Sequence, residues 1–572
     1  MGKKQSFQET LKEVESVMTS ISDLETKKVL NKLLNLVETI HSENEELKEK
    51  NQQLKDEVSH LKGEQVKPDI KGKKKKNEDI SSEQERKNNN SEGNDDDETK
   101  TGKKKKRKRE AKLPRVKIDR EEKCPVDKSL LPNDIEFKGY SDVVIQDIRI
   151  VTDNVKYRRE IYYSPIENKT YLGALPSDIA GKGEYGVGIR SLIPLLKSEC
   201  NLSESCILDF FQNFGIILSS AYISNQWTKG YDLFHQEKSD IYKAGLSNGH
   251  FQQIDDTGAR VNGENHYTQI ICNPFYSAYF TTPRKDRLTV LDVFRDFAPR
   301  EFIYNTHAGS LLAGFNLSKK IVLAVDQFLE KDKVFDEATF ELRLKTINPG
   351  PTQRSRIKEA CAIAAYHVQT TFPVIQTLVC DDAPQFKLLT KELALCWIHD
   401  GRHYKKLHPI VPLHQSILDN FLSQYWLFYH KLIAYQKEPD PSKINLLTQE
   451  FDALFSTQTE YEQLNERIAK TLAKKQELLL VLKRPDVPLH NNASELAARV
   501  QARARDVSLH TRSAEGTKIK DTFMTISQTA KKLGIRTYEY IRDRVSGEFK
   551  LPSLAQLIEE KASGQISVSL IP

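Results

Sequence analysis

"FQQIDDTGAR" (251–260) and "HYTQIICNPFYSAYFTT" (266–282) decide how this chain is read. In the second, apolar and polar residues alternate with a period near two, the pattern of strands. The second stretch breaks at Asn273-Pro274, so it predicts a hairpin of two strands. The first places Asp255 at the end of a strand just ahead of that hairpin. A third run, "FPVIQTLVCDD" (372–382), reads as a short buried strand that closes on Asp381. Helices are predicted between these strands, at about 309–330 and 354–370. A longer helical region at 413–484 includes "LLTQEFDALFSTQTEYEQLNERIAKTLAKKQELLLVL", with its 3.6-residue period. Strands interleaved with helices predict an α/β fold.

Carboxylates at strand ends in such a fold can converge at one edge of the sheet. The stretch "PLHNNASELAARVQARARD" (488–506) offers a third, Glu495, at the start of a helix rich in arginine. Three gathered acids repel one another unless cations sit among them. Two Mg²⁺ ions shared by the carboxylates, with Mn²⁺ as a substitute, resolve the repulsion and support in-line phosphoryl transfer. Each acid also has a local alternative. Asp255 or Asp256 could bond turn amides. "CDDAP" could cap a helix. Glu495 could pair with Arg499 one turn on. The order strand-end Asp, strand-end Asp, helical Glu favours the metal-dependent nuclease reading.

In "LCWIHDGRHYKKLHP" (395–409), Cys396, His399 and Arg402 recur at i, i+3 and i+6 on one helix face. A Cys and a His supply only two metal ligands, and no other cysteine has matching spacing, so zinc is not expected. They read as braces of the core, with Arg402 or Lys405 near DNA.

The chain has 572 residues, too many for one ordinary core. Its 86 Lys and Arg exceed its 80 Asp and Glu by a net charge of +6, and its seven cysteines show no paired spacing. A reducing compartment and no disulfide framework follow. No run of about 20 apolar residues exists and no signal-peptide core is present. "MGKKQS" fits the loose myristoylation pattern but has no support elsewhere.

Leu33, Ile40, Leu47, Leu54 and Leu61 fall every seventh residue, with Val37, Asn44, Asn51 and Val58 at the other seam position. This predicts a parallel coiled-coil dimer. The charge blocks "KGKKKKNED", "NNNSEGNDDDETK" and "GKKKKRKRE" predict a disordered linker that can attract DNA phosphates. "DVVIQDIRIVTDNVKYRREIYYSPIENKTYLG" (142–173) alternates in three short runs, a small β-unit. "LSESCILDFFQNFGIILSSAYISNQWTK" (202–229) has helix-turn-helix grammar, in which Ser219, Ser220, Tyr222 and Asn225 would face a groove.

These motifs resemble a transposase of the insertion-sequence-66 family. "IDDTG", "VCDDAPQF" and "CWIHDGRHYKKL" resemble the family's first-acid, second-acid and Cys-Trp-x-His segments. The longest match is "NNASELAARVQARARDVSLHTRSAEGTKIKDTFMTISQTAKKLGI" (491–535), and the zipper-like start and helix-turn-helix segment match as well. The resemblance implies a ribonuclease-H-like core with a catalytic, metal-holding triad of Asp255, Asp381 and Glu495. It also implies phosphate contacts from Arg499, Arg503, Arg505 and Arg512 beside it. Three departures stand out. Cys124 is alone where family members often carry a zinc unit. The spacing from Asp255 to Asp381 is longer than the family's, which leaves Asp256 as a rival first acid. His403 replaces the second arginine of a pair begun by Arg402.

The expected organisation is a coiled-coil region (1–63), a charged linker (64–118), a β-rich unit (119–182) and a helix-turn-helix region (183–248). A catalytic core in two parts (249–404 and 486–545) follows, separated by an all-helical insertion (405–485), and a tail (546–572) ends the chain. The expected function is a DNA transposase of a mobile insertion element, cutting and joining strands at element ends by Mg²⁺-dependent phosphoryl transfer. Its expected partners are terminal-repeat and target DNA and a second copy of itself, with accessory proteins of the same element as further candidates. The expected location is the bacterial cytoplasm, at the nucleoid and off the membrane. The alternatives are a catalytically inactive transposase-derived repressor and a zipper-type scaffold.

Overall fold

The computed structural model describes residues 11, 13–14, 16–17, 21–61, 118–126, 139–148, 150–176, 184–507 and 509–564. Almost all of the expected charged linker lies outside them. The described strands are β1 (Ile161–Ser164), β2 (Lys169–Leu172), β3 (Gln252–Val261), β4 (Glu264–Cys272), β5 (Ser277–Thr282), β6 (Glu301–Ile303), β7 (Val334–Asp336), β8 (Thr377–Cys380) and β9 (Glu392–Leu395). The chain is a mixed α/β protein whose five-stranded sheet has the order β5-β4-β3-β8-β9. It divides into two compact units, and β3 runs through both. The first is Met1–Glu92, His250–Asp256 and Arg284–Ala498; the second is Gly93–Gly249, Thr257–Pro283 and Arg499–Pro572.

In the first unit the start of β3 pairs in parallel with β8, Gln252 opposite Leu378 and Gln253 opposite Val379. β8 pairs in parallel with β9. All four residues of β8 are buried, so it reads as a continuous apolar run rather than an alternating one. Asp255 is not the end of a strand, as the sequence suggested. It lies within β3, two residues past Gln253, where β3 pairs with β8. The predicted helix at 309–330 is two helices, Thr306–Gly314 and Lys319–Phe328, between the paired strands β6 and β7. The break at Asn316, with φ of 52°, has the left-handed backbone that asparagine tolerates.

The region expected to be an all-helical insertion is helical, from Pro412–Lys437 through Ile444–Phe455 and Glu462–Leu472. Its core is aromatic. Trp397 packs against Tyr425, Phe428, Tyr429, Phe451 and Phe455. The long N-terminal helix, Leu24–Leu61, docks one face on this insertion. Leu34 packs with Leu11 and Val411, and the Asn35 amide donates to the Glu460 carbonyl at 2.9 Å. The buried Glu38 carboxylate accepts from Ile410 N and Val411 N at 3.0 and 2.9 Å and contacts His414 Nδ1 at 3.2 Å. A carboxylate there meets the amides of the N-cap Val411 and the residue before it, at the positive end of the Pro412–Lys437 helix. The heptad residues Leu33, Ile40, Leu47 and Leu54 are on the exposed part of the same helix.

In the second unit β3 turns into β4 through Asn262-Gly263, both left-handed at 50° and 80°. That is the two-residue turn whose twist suits a hairpin. β4 pairs antiparallel with β5, the hairpin expected around Asn273-Pro274. The Ala514–Leu533 helix covers the edge strand β5. Asp521, Thr525 and Thr529 accept from the backbone amides of Thr281, Tyr279 and Ser277 at 2.7, 3.1 and 3.3 Å. Hydrogen-bonding residues every fourth position on the helix thus satisfy amides at every second position on the strand.

The helices Val187–Ser198, Glu204–Asn213 and Ser220–Thr228 share a small core of Ile193, Leu196, Ile207, Phe211, Leu218 and Ile223. Of the three alternating runs expected in 142–173, only the last forms strands among the described residues, β1 against β2. The expected C-terminal tail contains a helix, Leu554–Ala562, with Leu554, Leu557 and Ile558 buried. Glu237 accepts from Leu554 N at 3.0 Å, which ties that helix to Asp232–Asn248. Among the described residues no helix is long and apolar enough to cross a membrane.

Candidate active site

The three acids singled out in the sequence all belong to the first unit. The parallel register of β3 and β8, carried two residues past Gln253 and Val379, brings Asp255 level with Asp381. Glu495 stands in the first turn of the Asn492–Asp506 helix. Ser494, just ahead of it, fastens this helix to the strand. Its hydroxyl contacts the Ile254 carbonyl at 3.4 Å and donates to the Asn491 carbonyl at 2.9 Å, while its amide faces Gln253 Oε1 at 3.4 Å. Sequence reasoning alone does not single out Ser494. Its signal was a small hydroxyl residue directly before the acid at a helix start.

The acids interact electrostatically. Burial pushes the Asp255 carboxyl up to about 7, reinforced by the charges of Asp381, Glu495 and Asp256 and opposed by the Asp256 amide. Burial also raises Asp381, against the Ala383 amide and His399, which favour its charged form. The rival first acid, Asp256, is engaged elsewhere: Lys285 Nζ lies 3.1 Å from one oxygen and Gln385 Nε2 2.8 Å from the other.

The Trp397–Lys405 helix starts beside Asp381, its N-cap Cys396 donating its amide to the Cys380 carbonyl at 3.0 Å. Its His399 Nδ1 lies 3.7 Å from Glu495 Oε1, and Arg402 Nη1 lies 3.6 Å from the same oxygen. The same Arg402 nitrogen is 3.0 Å from His399 Nε2, so that ring nitrogen accepts and Nδ1 carries the proton towards Glu495. Burial lowers His399, with Arg402 adding to the effect and Glu495 opposing it. The fully buried Asn491 amide is close enough to influence the ring, yet neither of its polar atoms has a partner in hydrogen-bond geometry.

The insertion holds this helix from behind. Asp400 accepts from Arg467, from Thr471 Oγ1 at 2.8 Å and from Tyr425 OH at 3.3 Å. Asp382, next to Asp381, pairs with Lys474 of the insertion and with Lys387. At Gly401 the two elements approach closely: a Cβ there would meet the Trp426 ring at 2.8 Å.

The remaining candidates are scattered. Lys405 is half-buried on the same helix as Arg402. Arg499, Arg503, Arg505 and Arg512 are exposed and belong to the second unit, where Arg505 reaches the Gly258 carbonyl at 3.4 Å. Ser219 uses its hydroxyl to cap the Ser220–Thr228 helix, accepting from Tyr222 N. Tyr222 packs its ring 4.2 Å from that of Tyr185, while Ser220 and Asn225 are exposed.

Two metal arrangements can be weighed. Cys396, His399 and Glu495 bring donor atoms within 4.8 Å of one another. However, burial pushes the Cys396 thiol up to about 12, and the Arg402 guanidinium already supplies positive charge to Glu495. Asp255, Asp381 and Glu495 offer only oxygen, the donor of hard dications. Burial first and mutual repulsion second raise Asp255, and a dication relieves both. The acids therefore have the donor chemistry for Mg²⁺ or Mn²⁺, although as they stand their oxygens do not come within 4.8 Å of one another.

Comparison with known proteins gives a family and one relative. The description "Transposase IS66 family" matches residues 358–519, a span that includes Asp381, His399 and Glu495 but not Asp255. An uncharacterized protein of Sinorhizobium fredii, y4jO, is 31% identical over 323 residues, covering 56% of this chain and 99% of its own length. No solved structure matches the chain. Family membership carries a transposase-related function with DNA as the partner. By the family match and by the span of its relative, the chain belongs to the IS66 transposase family.

Proposed function

We propose that the chain is an active DNA transposase with a ribonuclease-H-like core, cutting and joining DNA strands at the ends of a mobile element. The convergence of Asp255 and Asp381 at neighbouring parallel strands, with Glu495 tied to the same strand through Ser494, carries this reading. The sheet, an antiparallel meander extended by two parallel strands, supports it. Asp255 rather than Asp256 is the first acid, because Asp256 is bound to Lys285 and Gln385.

Two Mg²⁺ ions held by Asp255, Asp381 and Glu495 would supply activation of water or a 3′-hydroxyl and neutralise charge on the leaving oxygen. The protein's share is arrangement. Buried strands fix the two aspartates, and the insertion holds the Trp397–Lys405 helix against Glu495. Arg402 and Lys405 are placed to contact phosphate oxygens. In the second unit, Arg499, Arg503, Arg505 and Arg512 add exposed positive charge, and Ser220 and Asn225 offer polar groups to a groove. The exposed heptad residues of the N-terminal helix suit pairing with a second copy, one protomer per element end.

The test is cleavage of a labelled duplex bearing the element's own terminal repeat, with Mg²⁺ and with Mn²⁺, by the wild type and Glu495→Gln. Cleavage lost in the variant while gel-shift binding persists supports the reading. Binding without cleavage by either protein with either metal indicates a repressor. Equal cleavage by both removes Glu495 from the site.

A further inference from the structure

Glu495 has two sets of neighbours that compete for it. Its carboxyl forms a cluster within 4.8 Å with Cys396 and His399, whereas the oxygens of Asp255, Asp381 and Glu495 form no such set among the described residues. The contacts drawing it away from the aspartates are Arg402 Nη1 at 3.6 Å and His399 Nδ1 at 3.7 Å. The side chain of Glu495 is 12% exposed, while that of Arg402 is 42% exposed. The acid is thus enclosed, and the guanidinium reaches in to it from solvent. A guanidinium beside a carboxylate repels a dication approaching the same carboxylate. It also matches phosphate, which it binds through two parallel N–H donors.

We propose that Arg402 is exchanged between two anions: it holds Glu495 in the DNA-free protein and passes to a backbone phosphate when DNA binds. Glu495 is then free to close on Asp255 and Asp381 and complete the metal site. Arg402 in this role is a positioning residue. His399 stays behind as the neighbour that limits how far Glu495 moves. The inference rests on the proposed metal-holding triad and adds to it an order of events, with the site completed by its own substrate. Because binding couplings are reciprocal, DNA tightens metal binding by the factor that metal tightens DNA binding.

The test is Mn²⁺ binding to the full chain, followed by loss of the free-ion signal in electron paramagnetic resonance. It is run with and without a short duplex of arbitrary sequence, since phosphate contacts need no base recognition. The proteins are the wild type, Arg402→Gln, Arg402→Lys and Asp381→Asn. The expected result is that Arg402→Gln binds Mn²⁺ at least about 5-fold more tightly than wild type without DNA, the lower end of typical couplings. DNA should tighten Mn²⁺ binding in the wild type but not in Arg402→Gln. Arg402→Lys, which keeps the charge, should remain weak without DNA. Unchanged or weaker Mn²⁺ binding in Arg402→Gln, or a DNA effect that survives in it, overturns the exchange and leaves the triad standing. Mn²⁺ binding that persists in Asp381→Asn removes the triad as the metal site and the exchange with it.

Discussion

Asp400 and Asp255 are carboxylates of one structural unit, and their surroundings are opposite. Asp400 is met by Arg467, Thr471 and Tyr425, with Lys474 Nζ a further 3.7 Å away. Asp255 faces Asp381 and Glu495 and has its own neighbour's amide as a donor. Burying a charge costs several kcal/mol unless partners are supplied. At Asp400 the chain supplies them itself, and the group fastens the insertion to the helix behind the acids. At Asp255 the chain supplies more negative charge instead. Such an arrangement persists in a folded protein only when the rest of the structure holds it, and it is characteristic of sites that bind something from outside.

The contrast can be broken in four ways. The largest effect is expected for Asp381→Ala. Mg²⁺-dependent cleavage should fall by about 10³-fold or more, while the thermal midpoint stays level or rises because a repelling charge is gone. A fall in the midpoint without loss of cleavage would make Asp381 structural. Asp400→Asn should do the reverse, costing about 3–5 kcal/mol in urea denaturation by leaving Arg467 buried without its charge partner.

A pH series sharpens the comparison. Asp255 is raised from 3.8 to about 7 in the folded protein, so its ionisation opposes folding. No penalty applies below the unfolded value. The penalty grows as pH rises from about 4 and is complete above about 7, with an upper bound of about 4 kcal/mol, reduced because the cluster shares its protons. In EDTA, the stability of Asp255→Asn relative to wild type should therefore increase across that window, and added Mg²⁺ should narrow the gap. A difference that does not change with pH would place Asp255 among the satisfied carboxylates.

The smallest effect is expected at Glu38→Ala, which leaves the amides of Ile410 and Val411 without their acceptor. It should cost about 1–3 kcal/mol and speed proteolysis within Leu24–Leu61, without changing Mn²⁺ affinity.

Much of this was legible in the sequence because it is local. Period-two alternation located β4 and β5, and Asn273-Pro274 marked the turn between them. Apolar continuity located β8, and Asp381 follows it directly. Glu495 was readable because helix starts collect small polar residues and acids. What failed was also physical. The sequence pattern of a strand ends at Asp255, although β3 continues to Val261 through residues that are neither apolar nor regularly alternating. The three alternating runs in 142–173 look equivalent, yet among the described residues only the last forms strands, Ile161–Ser164 against Lys169–Leu172. The heptad repeat announced the exposed part of the N-terminal helix and hid its other face, where Leu34, Asn35 and Glu38 are buried against the insertion.

The sequence by itself determined which residues are acidic, where β4, β5 and β8 lie, and the family to which the chain belongs, because propensity, periodicity and motif are properties of neighbouring residues. Only the tertiary structure decided which acids are neutralised. The register of β3 on β8 brought Asp255 level with Asp381, Lys285 and Gln385 claimed Asp256, and Arg467 claimed Asp400. Electrostatic energy depends on distance through space, and residues far apart in the chain meet only when the fold has closed.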